Sequence, residues 1–352
     1  MSRYLVTGCA GFIGSHLCEA LLAEGDEVLG LDAFTGFYPR PAKERNLRTA
    51  RADPRFSLHE RDACDGCDDV LAEVDGVFHL AGQPGVRDSW GVGFEPYLHA
   101  NLLASQRVFE AAAKRGARVV FASSSSVYGE APGRPAAEDD SPRPISPYGV
   151  TKLACETLAR AYAVEHGLDV VCLRYFSVYG PRQRPDMAFA RLVASLLGGP
   201  PFPLLGSGGQ VRDFTYVGDI VAATVLAMSG APRGAVYNVG GGTPASLAEA
   251  MAICERLTGR RLDARPCPPA PGDPMQTCAD TRRIHAGLGW QPHTTLAEGL
   301  EAQIAWHARG AQPLAVVQRL DREVRDVRSA TNPPPDHPRS VRPGARDLPI
   351  NI

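Results

Sequence analysis

The chain has 352 residues, a formal net charge of −2 and 44% hydrophobic residues. This length is sufficient for one large domain or two modest ones with a full core. A nearly neutral charge excludes the global basic field that binds nucleic acid or an anionic membrane. No apolar run approaches the length of a membrane span, and the first residues have a strand pattern rather than a signal-peptide pattern. Nine scattered cysteines are typical of a reducing compartment, so we expect a cytoplasmic protein.

Strand-like and helical runs alternate through the first half of the chain. The predicted strands are residues 4–6, 27–31, 56–59, 76–80, 117–122 and 170–174, and the clearest helices are 12–22, 95–114 and 148–166. This rhythm predicts an α/β fold with a Rossmann-type doubly wound parallel sheet. Ligands of such folds bind in the cleft at the carboxyl ends of the strands.

The second half of the chain has a different pattern. After residue 180 the rhythm breaks into Pro/Gly-rich connections between short helices, which predicts a smaller substrate-binding lobe over residues 181–310. Residues 1–180 then form the sheet domain, with contributions from later segments. Residues 311–352 are charged and contain six prolines between 333 and 349, so we expect a disordered tail.

A glycine-rich turn follows the first predicted strand and opens the first predicted helix. Gly8, Gly11 and Gly14 allow backbone N–H groups to approach a pyrophosphate at the helix N-terminus. Asp32 closes the second predicted strand, where a carboxylate accepts hydrogen bonds from a ribose 2′-OH and repels a 2′-phosphate. Taken singly, the glycines also fit an ordinary turn, and Asp32 fits an exposed strand end. Together they predict an NAD site.

A second motif places a phenol and an ammonium on one helix face, at Tyr148 and Lys152. This spacing is common by chance, but a run of four serines, 123–126, ends the fifth predicted strand beside it. An ammonium favours the phenolate, and a serine hydroxyl can relay the proton of a substrate alcohol. We therefore predict hydride chemistry on an alcohol carbon.

These motifs closely resemble those of the extended short-chain dehydrogenases that act on nucleotide sugars. The similarity covers roughly residues 4–306 and includes Thr-Gly-x-x-Gly-Phe-Ile-Gly at 7–14, Val-Tyr-Gly at 127–129 and Tyr-x-x-x-Lys at 148–152. It implies that Ser124, Tyr148 and Lys152 are catalytic. The cofactor-binding residues that it implies are Gly8, Gly11, Phe12, Ile13, Gly14, Asp32, Asp62, Ala63, Leu80, Ala81, Gly82, Asn101, Tyr148, Lys152, Tyr175 and Val178.

The same resemblance extends to the substrate side. Gly-Pro-Arg-Gln-Arg-Pro-Asp-Met-Ala at 180–188 is similar to the members that epimerise UDP-glucuronate at C4, and two arginines on a Pro-bounded loop suit a carboxylate. The alternative for residues 180–188 is a solvated basic loop without a ligand. The resemblance implies that Arg212 pairs with the diphosphate, and the alternative there is a local surface ion pair with Asp213. The implied substrate-binding residues are Gln83, Val86, Arg87, Ser125, Ser126, Ser177, Arg182, Arg184, Arg212 and Asp273, with Arg182 ranked ahead of Arg184.

The reaction follows from what precedes Val-Tyr-Gly. The family's 4,6-dehydratases and UDP-glucuronate decarboxylases carry carboxylates there, and this chain has Ser125 and Ser126. We therefore expect a C4 epimerase that oxidises C4 to a ketone and returns the hydride to the other face of that ketone. The expected substrate is UDP-glucuronate. A UDP-glucose or UDP-N-acetylglucosamine 4-epimerase is the alternative, and a silent NAD-binding regulator is a different class that the intact catalytic set opposes.

Two expectations concern partners and metals. By analogy with the family's dimers, helices 95–114 and 148–166 would pair in a homodimer. Cys64 and Cys67 have the spacing of half a zinc site, but no second Cys or His pair completes it, so we expect no metal. The expected partner is a UDP-sugar, with no nucleic acid and no membrane.

Overall fold

The computed structural model describes residues 1–130, 133–268 and 272–309. The expected tail therefore lies outside the described residues. The strands are β1 Arg3–Thr7, β2 Glu27–Asp32, β3 Phe56–Glu60, β4 Gly76–His79, β5 Arg118–Ser124, β6 Val170–Tyr175, β7 Val178–Tyr179, β8 Phe202–Leu205, β9 Val211–Arg212, β10 Thr215–Tyr216, β11 Val236–Val239, β12 Ala245–Ser246 and β13 Ala264–Cys267. The helices are α1 Phe12–Ala23, α2 Arg40–Asn46, α3 Asp68–Leu71, α4 Glu95–Tyr97, α5 Ala104–Arg115, α6 Pro147–Glu165, α7 Ala188–Leu196, α8 Val217–Gly230, α9 Leu247–Thr258, α10 Arg282–Leu288 and α11 Leu296–Arg309.

Seven strands form one sheet in the order β11-β6-β5-β4-β1-β2-β3, and all neighbouring strands are parallel. The direction of winding reverses between β1 and β4, which is the switch point where doubly wound folds bind nucleotides. The predicted fold class is confirmed. The seventh strand, β11, comes from the second half of the chain, for which the sequence analysis gave no strand bounds.

Successive side chains of the strands enter two different cores because side chains alternate across a sheet. Val6, Phe78 and Val120 pack on one face in a cluster that also holds residues of α1 and α8. Leu5 and Val77 pack on the other face with residues of α5 and α6. The sheet is thus covered on both faces, and its carboxyl ends remain free to form a cleft.

A third core lies among α7, α9 and α11, where Tyr179, Phe189, Phe202 and Leu300 are buried. These helices have 9, 12 and 14 residues and α8 has 14, so the expectation of short helices after residue 180 is wrong for α8, α9 and α11. The Pro/Gly-rich connections between these helices drew attention away from the apolar periodicity within them. No helix in the described ranges is long and apolar enough to cross a membrane.

Candidate active site

A cavity of about 450 Å³ opens at the carboxyl ends of the strands around the switch point. It is lined, for each strand from β1 to β6, by the last residue of the strand or by the residue that follows it. Of the residues predicted to bind the cofactor or to be catalytic, those that line it are Gly8, Gly11, Phe12, Ile13, Gly14, Asp32, Asp62, Ala63, Leu80, Ala81, Gly82, Ser124, Tyr148, Lys152, Tyr175 and Val178. Gln83, Val86, Ser125, Ser126, Ser177 and Arg184 from the predicted substrate set line it too.

The glycine turn at the head of α1 has no space for side chains. Gly8 has a φ of 71°, and a Cβ there would lie 2.8 Å from the Ala81 nitrogen. A Cβ on Gly14 would overlap the carbonyl oxygen of Gly8. The turn and the first turn of α1 therefore pack backbone against backbone, and Gly11 is the N-cap residue of α1 without a side chain to cap it. Such a cradle fits the pyrophosphate of a dinucleotide.

Asp32 ends β2 with its carboxylate buried at the cavity wall. It accepts hydrogen bonds from the backbone N–H groups of Ala10 (3.1 Å) and Phe34 (2.8 Å). Its third partner is Lys43 of α2, whose Nζ lies 3.1 Å from Oδ1, with both side chains buried. Lys43 was missed by the sequence analysis because nothing in the local pattern of α2 indicates that this short helix folds back over the end of β2.

The serine run forms the end of β5 and the tight turn that follows it. Ser124 Oγ accepts a hydrogen bond of 3.1 Å from the N–H of Ser126, so its own O–H remains available for another acceptor. Tyr148 lies in the first turn of α6, where Ser146 caps the helix by accepting from the Gly149 N–H. Ser124 and Tyr148 thereby face one cavity from two elements.

Lys152 lies one turn further along α6 and is buried. Its Nζ donates a 2.9 Å hydrogen bond to the Ala122 carbonyl of β5 and lies 5.0 Å from the centre of the Phe121 ring. The ammonium is thus held at the cavity floor with further N–H groups to donate.

Asn101 differs from its predicted place. It is buried in a π-helical segment, Leu98–Leu103, and is not among the described residues that line the cavity. Its amide donates to the Gln83 carbonyl (3.1 Å) and to Thr151 Oγ1 (3.0 Å), and its oxygen accepts from the Gln83 N–H (2.7 Å). Asn101 therefore fixes the loop after β4 from behind and joins it to α6.

A second cavity of about 210 Å³ adjoins the first and shares Ser177, Val178 and Met187 with it. Arg212 and Asp273, predicted for the diphosphate and the nucleoside, line this cavity, and so does Arg87 from the loop predicted to border the sugar. Arg212 donates to Asp273 at 2.6 Å, and Arg87 lies 3.9 Å from the same carboxylate.

The alternative of an Arg212–Asp213 surface pair is wrong. Asp213 is fully buried and accepts hydrogen bonds from the backbone N–H groups of Gly242 and Ala279. Burial raises the pKa of its carboxyl, although these N–H groups oppose the shift. Asp213 thus anchors the backbone at Gly242 and Ala279, and the ion-pair partner of Arg212 is Asp273.

The two arginines of the loop after β7 point in different directions. Arg182 is not among the described residues that line either cavity; its guanidinium donates to Glu19 (2.7 Å) and Ser15 (3.3 Å) on α1. Its backbone has a φ of 64°, and its side chain lies against α1. Arg184 lines the first cavity, so the ranking of Arg182 ahead of Arg184 has no support in the structure.

Among the described residues, Arg184 has hydrogen-bond partners on one edge of its guanidinium only. Its Nε and Nη2 donate to the two carboxylate oxygens of Asp186 at 3.1 and 2.9 Å, and its Cζ lies 5.6 Å above the Phe37 ring. Burial opposes the charge, but attraction from Asp186 raises the pKa of Arg184 above its usual value. A guanidinium has five N–H groups, so the Nη1 edge is left for a ligand.

One group of potential metal ligands lies at the cavity rim. Asp62, Cys64 and His99 bring their ligand atoms within 4.8 Å of one another. The Cys64 thiol donates to the His99 carbonyl at 3.1 Å, and burial together with Asp62 raises its pKa to about 12. A protonated thiol is a poor ligand. None of the nine cysteines, all of which lie in described parts of the chain, forms a disulfide.

A doubly wound sheet with a glycine cradle and an acid at the end of β2 defines a dinucleotide-binding α/β protein. The model of the NAD dependent epimerase/dehydratase family matches residues 4–240, and the chain belongs to that family. The expected cofactor, NAD, is confirmed: the family is NAD-dependent, and similar proteins have been crystallised with NAD.

Two curated relatives match more than four fifths of the chain. The chain is 43% identical to an uncharacterized UDP-glucose epimerase YtcB of Bacillus subtilis over 86% of its own length and 97% of the relative's. It is 34% identical to a UDP-glucuronate 4-epimerase of Thermodesulfobacterium geofontis, over 87% and 96% respectively.

Solved structures give the same range of relatives. A UDP-glucuronic acid 4-epimerase of Bacillus cereus, in complex with UDP-glucuronic acid and NAD, matches with a TM-score of 0.85 and 40% identity over 87% of this chain and 99% of that one. A UDP-glucose 4-epimerase of Thermus thermophilus in complex with NAD matches with a TM-score of 0.80 and 34% identity, over 88% and 100% respectively.

Proposed function

We propose that this chain is a UDP-glucuronate 4-epimerase that forms UDP-galacturonate through a 4-keto sugar. The observation that carries the proposal is the placement of Arg184 in the same cavity as Ser124 and Tyr148, with an unused guanidinium edge. A cation whose partner covers one edge only is suited to the carboxylate of the sugar. Arg184, rather than Arg182, is therefore the residue that we assign to it.

The glycine cradle, Asp32 and Lys152 would hold NAD, which supplies the acceptor and then the donor of the C4 hydride. Tyr148 takes the proton of the C4 hydroxyl as the general base. Ser124 donates its free O–H to the same substrate oxygen, since its oxygen already accepts from Ser126. Lys152, held on the Ala122 carbonyl, places a positive charge that stabilises the phenolate.

The ketone must turn so that its other face meets the hydride. Arg212 and Arg87 pair with the diphosphate in the second cavity, so rotation takes place about that linkage.

A 4-keto glucuronate is a β-keto acid that loses CO₂ when its breaking bond is perpendicular to the ketone. Arg184 with Ser125 and Ser126 restrains the carboxylate away from that geometry, and neither serine can supply the acid that a dehydratase requires.

The test compares kcat/KM for UDP-glucuronate, UDP-glucose and UDP-N-acetylglucosamine, with products identified by NMR. Charge-assisted hydrogen bonds of about 1.5–3 kcal/mol each predict a preference for UDP-glucuronate of at least ~10²-fold, because a neutral CH₂OH leaves the donors unpaired. Arg184→Met should erode this preference, and Arg182→Met should keep it. Replacing Ser125 and Ser126 by alanine should increase release of a 4-ketopentose.

A neutral UDP-hexose 4-epimerase is the second candidate, supported by the 43% identity to a relative named as a UDP-glucose epimerase. Equal epimerisation of UDP-glucose and UDP-glucuronate would establish it and refute the carboxylate role of Arg184. Absence of a C4 epimer from all three UDP-sugars would refute both candidates.

A homodimer across α5 and α6 is part of the proposal. Large apolar side chains are exposed in the π-helical segment that precedes α5, where Leu98 is 42% and Leu103 39% exposed. The same is true of α6, where Val150 is 48% and Val164 71% exposed. Pairing across a two-fold axis would cover them. Light scattering should give twice the chain mass, Val150→Glu with Leu103→Glu should halve it, and Leu257→Glu on α9 should not.

A further inference from the structure

A buried ion pair lies behind the serine turn, outside the cavity. Arg174 of β6 donates to Glu156 of α6 through Nε (2.9 Å) and Nη2 (2.7 Å), and both side chains are under 10% exposed. Burial opposes the charge on Arg174, but the hydrogen bonds and attraction from Glu156 raise its pKa above the usual range. Neither residue is among the described residues that line the cavity, so neither meets a ligand directly.

Glu156 also joins α6 to the strand that carries the serines. Its Oε1 accepts a hydrogen bond from Ser123 Oγ, and Ser123 directly precedes Ser124 on β5. One turn earlier on the same helix, Lys152 donates to the Ala122 carbonyl. Helix α6 is therefore fixed to two successive residues at the end of β5, and the next residue along the chain is Ser124.

Arg174 holds the other end of the serine turn. Its Nη1 donates to Tyr128 Oη at 2.7 Å, and its Cζ lies 4.8 Å from the centre of that ring. Tyr128 in turn donates to the Asn238 side chain of β11 at 2.7 Å. Since Tyr128 follows the turn formed by residues 125–127, the turn is held at its entry by Ser123 and at its exit by Tyr128.

The hydrogen bonds that Glu156 accepts require a carboxylate at this position. Oε1 accepts from both Ser123 and the Arg174 Nε–H, and Oε2 accepts from the Nη2–H. A glutamine has one acceptor oxygen, and its NH₂ group would face a donor whichever way it turned. Glutamine at this position therefore keeps the size of the side chain but leaves a buried donor unpaired.

We propose that Glu156 is a positioning residue, which sets the serine turn against the helix that carries Tyr148 and Lys152. This inference rests on the catalytic roles given in the proposed function, but not on which UDP-sugar is the substrate. It assigns Glu156 no contact with substrate or cofactor, and it predicts that the rate of the chemical step depends on a charge outside the cavity.

The same two strands provide a matched control. Arg118, the first residue of β5, donates to Asp169 through Nε (3.0 Å) and Nη2 (3.1 Å), and Asp169 directly precedes β6. This pair lies at the amino ends of the two strands, whereas the cavity lies at their carboxyl ends. This pair is also bidentate, and it joins the same strands away from the serine turn. Asp169→Asn should therefore affect stability and leave the chemistry unchanged.

The test compares Glu156→Gln, Glu156→Asp, Ser123→Ala and Asp169→Asn in the NAD-loaded full chain, well below their melting temperatures. A small misplacement of reacting groups costs ~10²-fold in rate, so Glu156→Gln should lower kcat by about that factor with KM and NAD content within about twofold. Ser123→Ala should lower kcat in the same direction while leaving the ion pair intact, and Glu156→Asp should recover part of the loss. Asp169→Asn should keep kcat.

A second readout does not depend on activity. Amide hydrogen exchange of the peptide covering residues 123–128 should accelerate in Glu156→Gln and not in Asp169→Asn. Normal kcat and normal exchange in folded Glu156→Gln would overturn the proposal, and so would a kcat loss matched by Asp169→Asn. Failure of the wild type to epimerise any UDP-sugar would instead refute the proposed function, and the exchange experiment would still decide the role of Glu156.

Discussion

His79, at the end of β4, has a protonation state that its neighbours determine. Thr7 Oγ1 accepts hydrogen bonds from the N–H groups of Leu80 (3.2 Å) and Ala81 (3.1 Å), which occupy both of its lone pairs. Its O–H must then be donated to His79 Nδ1, 2.7 Å away. The other ring nitrogen, Nε2, lies 3.0 Å from Ser105 Oγ and carries the proton. A second proton on Nδ1 would face the Thr7 hydroxyl, donor against donor.

Acid pH should therefore destabilise the fold through this residue. Burial, with a smaller contribution from Lys152, lowers the pKa of His79 to about 3. The unfolded chain takes up the proton near pH ~6.5, so the stability from neutral His79 is complete above that value and is lost as the pH falls towards 3. At 1.36 kcal/mol per pH unit, the loss at pH 5 is about 2 kcal/mol.

The assay is the free energy of unfolding by urea for the wild type and His79→Phe, at pH 7 and at pH 5. His79→Phe leaves the Thr7 and Ser105 hydroxyls without their partner, which should cost about 1–3 kcal/mol at pH 7. The variant also lacks the ionisable imidazole, so the difference in the free energy of unfolding between the two proteins should be about 2 kcal/mol smaller at pH 5 than at pH 7. His16, whose pKa burial lowers to about 4, is present in both proteins and cancels.

The matched control is His59→Gln on the exposed edge strand β3, which should follow the wild type at both values of pH. A stability difference between wild type and His79→Phe that is unchanged from pH 7 to pH 5 would refute the assigned tautomer and its acid sensitivity. Because Thr7 holds the N–H groups of Leu80 and Ala81 at the cavity wall, NAD binding by the wild type should weaken over the same range.

Three further outcomes are expected. Tyr148→Phe should lower turnover by ~10²–10⁴-fold with NAD binding intact, as a spectroscopic titration of NAD would show, and near-normal turnover would exclude it as the base. Gly14→Ala would overlap the Gly8 carbonyl and should abolish NAD binding and lower the melting temperature, whereas Gly36→Ala, where a Cβ meets nothing within 4 Å, should change neither. Asp32→Ala leaves its buried lysine partner uncompensated, so competitive titration of the two cofactors should show a relaxed preference for NAD over NADP; an unchanged preference would refute the ribose assignment.

Features that depend on a short stretch of chain could be predicted from the sequence. The glycine cradle, Asp32 at the end of β2 and the pairing of Tyr148 with Lys152 each follow from one turn, one strand or one helix face. Their convergence follows from the rule that parallel strands bring their carboxyl ends to one edge. The alternation of strands and helices predicts a parallel sheet, which is why the fold class could be predicted together with the cleft.

Features that depend on two distant segments could not be predicted in this way. Lys43 reaches Asp32 only because α2 folds back over β2, and Asn101 lies behind the loop after β4 because its amide pairs with Gln83 and Thr151. Both side chains are of types that would suit a ligand. Which atoms they face is decided by tertiary packing, and local pattern carries no information about it.

The two arginines after β7 show that nearby side chains of one loop can have entirely different surroundings. Both follow a Gly-Pro turn, and proximity to that turn favoured Arg182. Arg182 has a positive φ, a left-handed conformation that is uncommon outside glycine. The bonds to Glu19 and Ser15 compensate for that strain and fasten the loop to α1, beside the glycine cradle. Arg184, two residues later, lines the cavity instead, with Asp186 on one edge of its guanidinium.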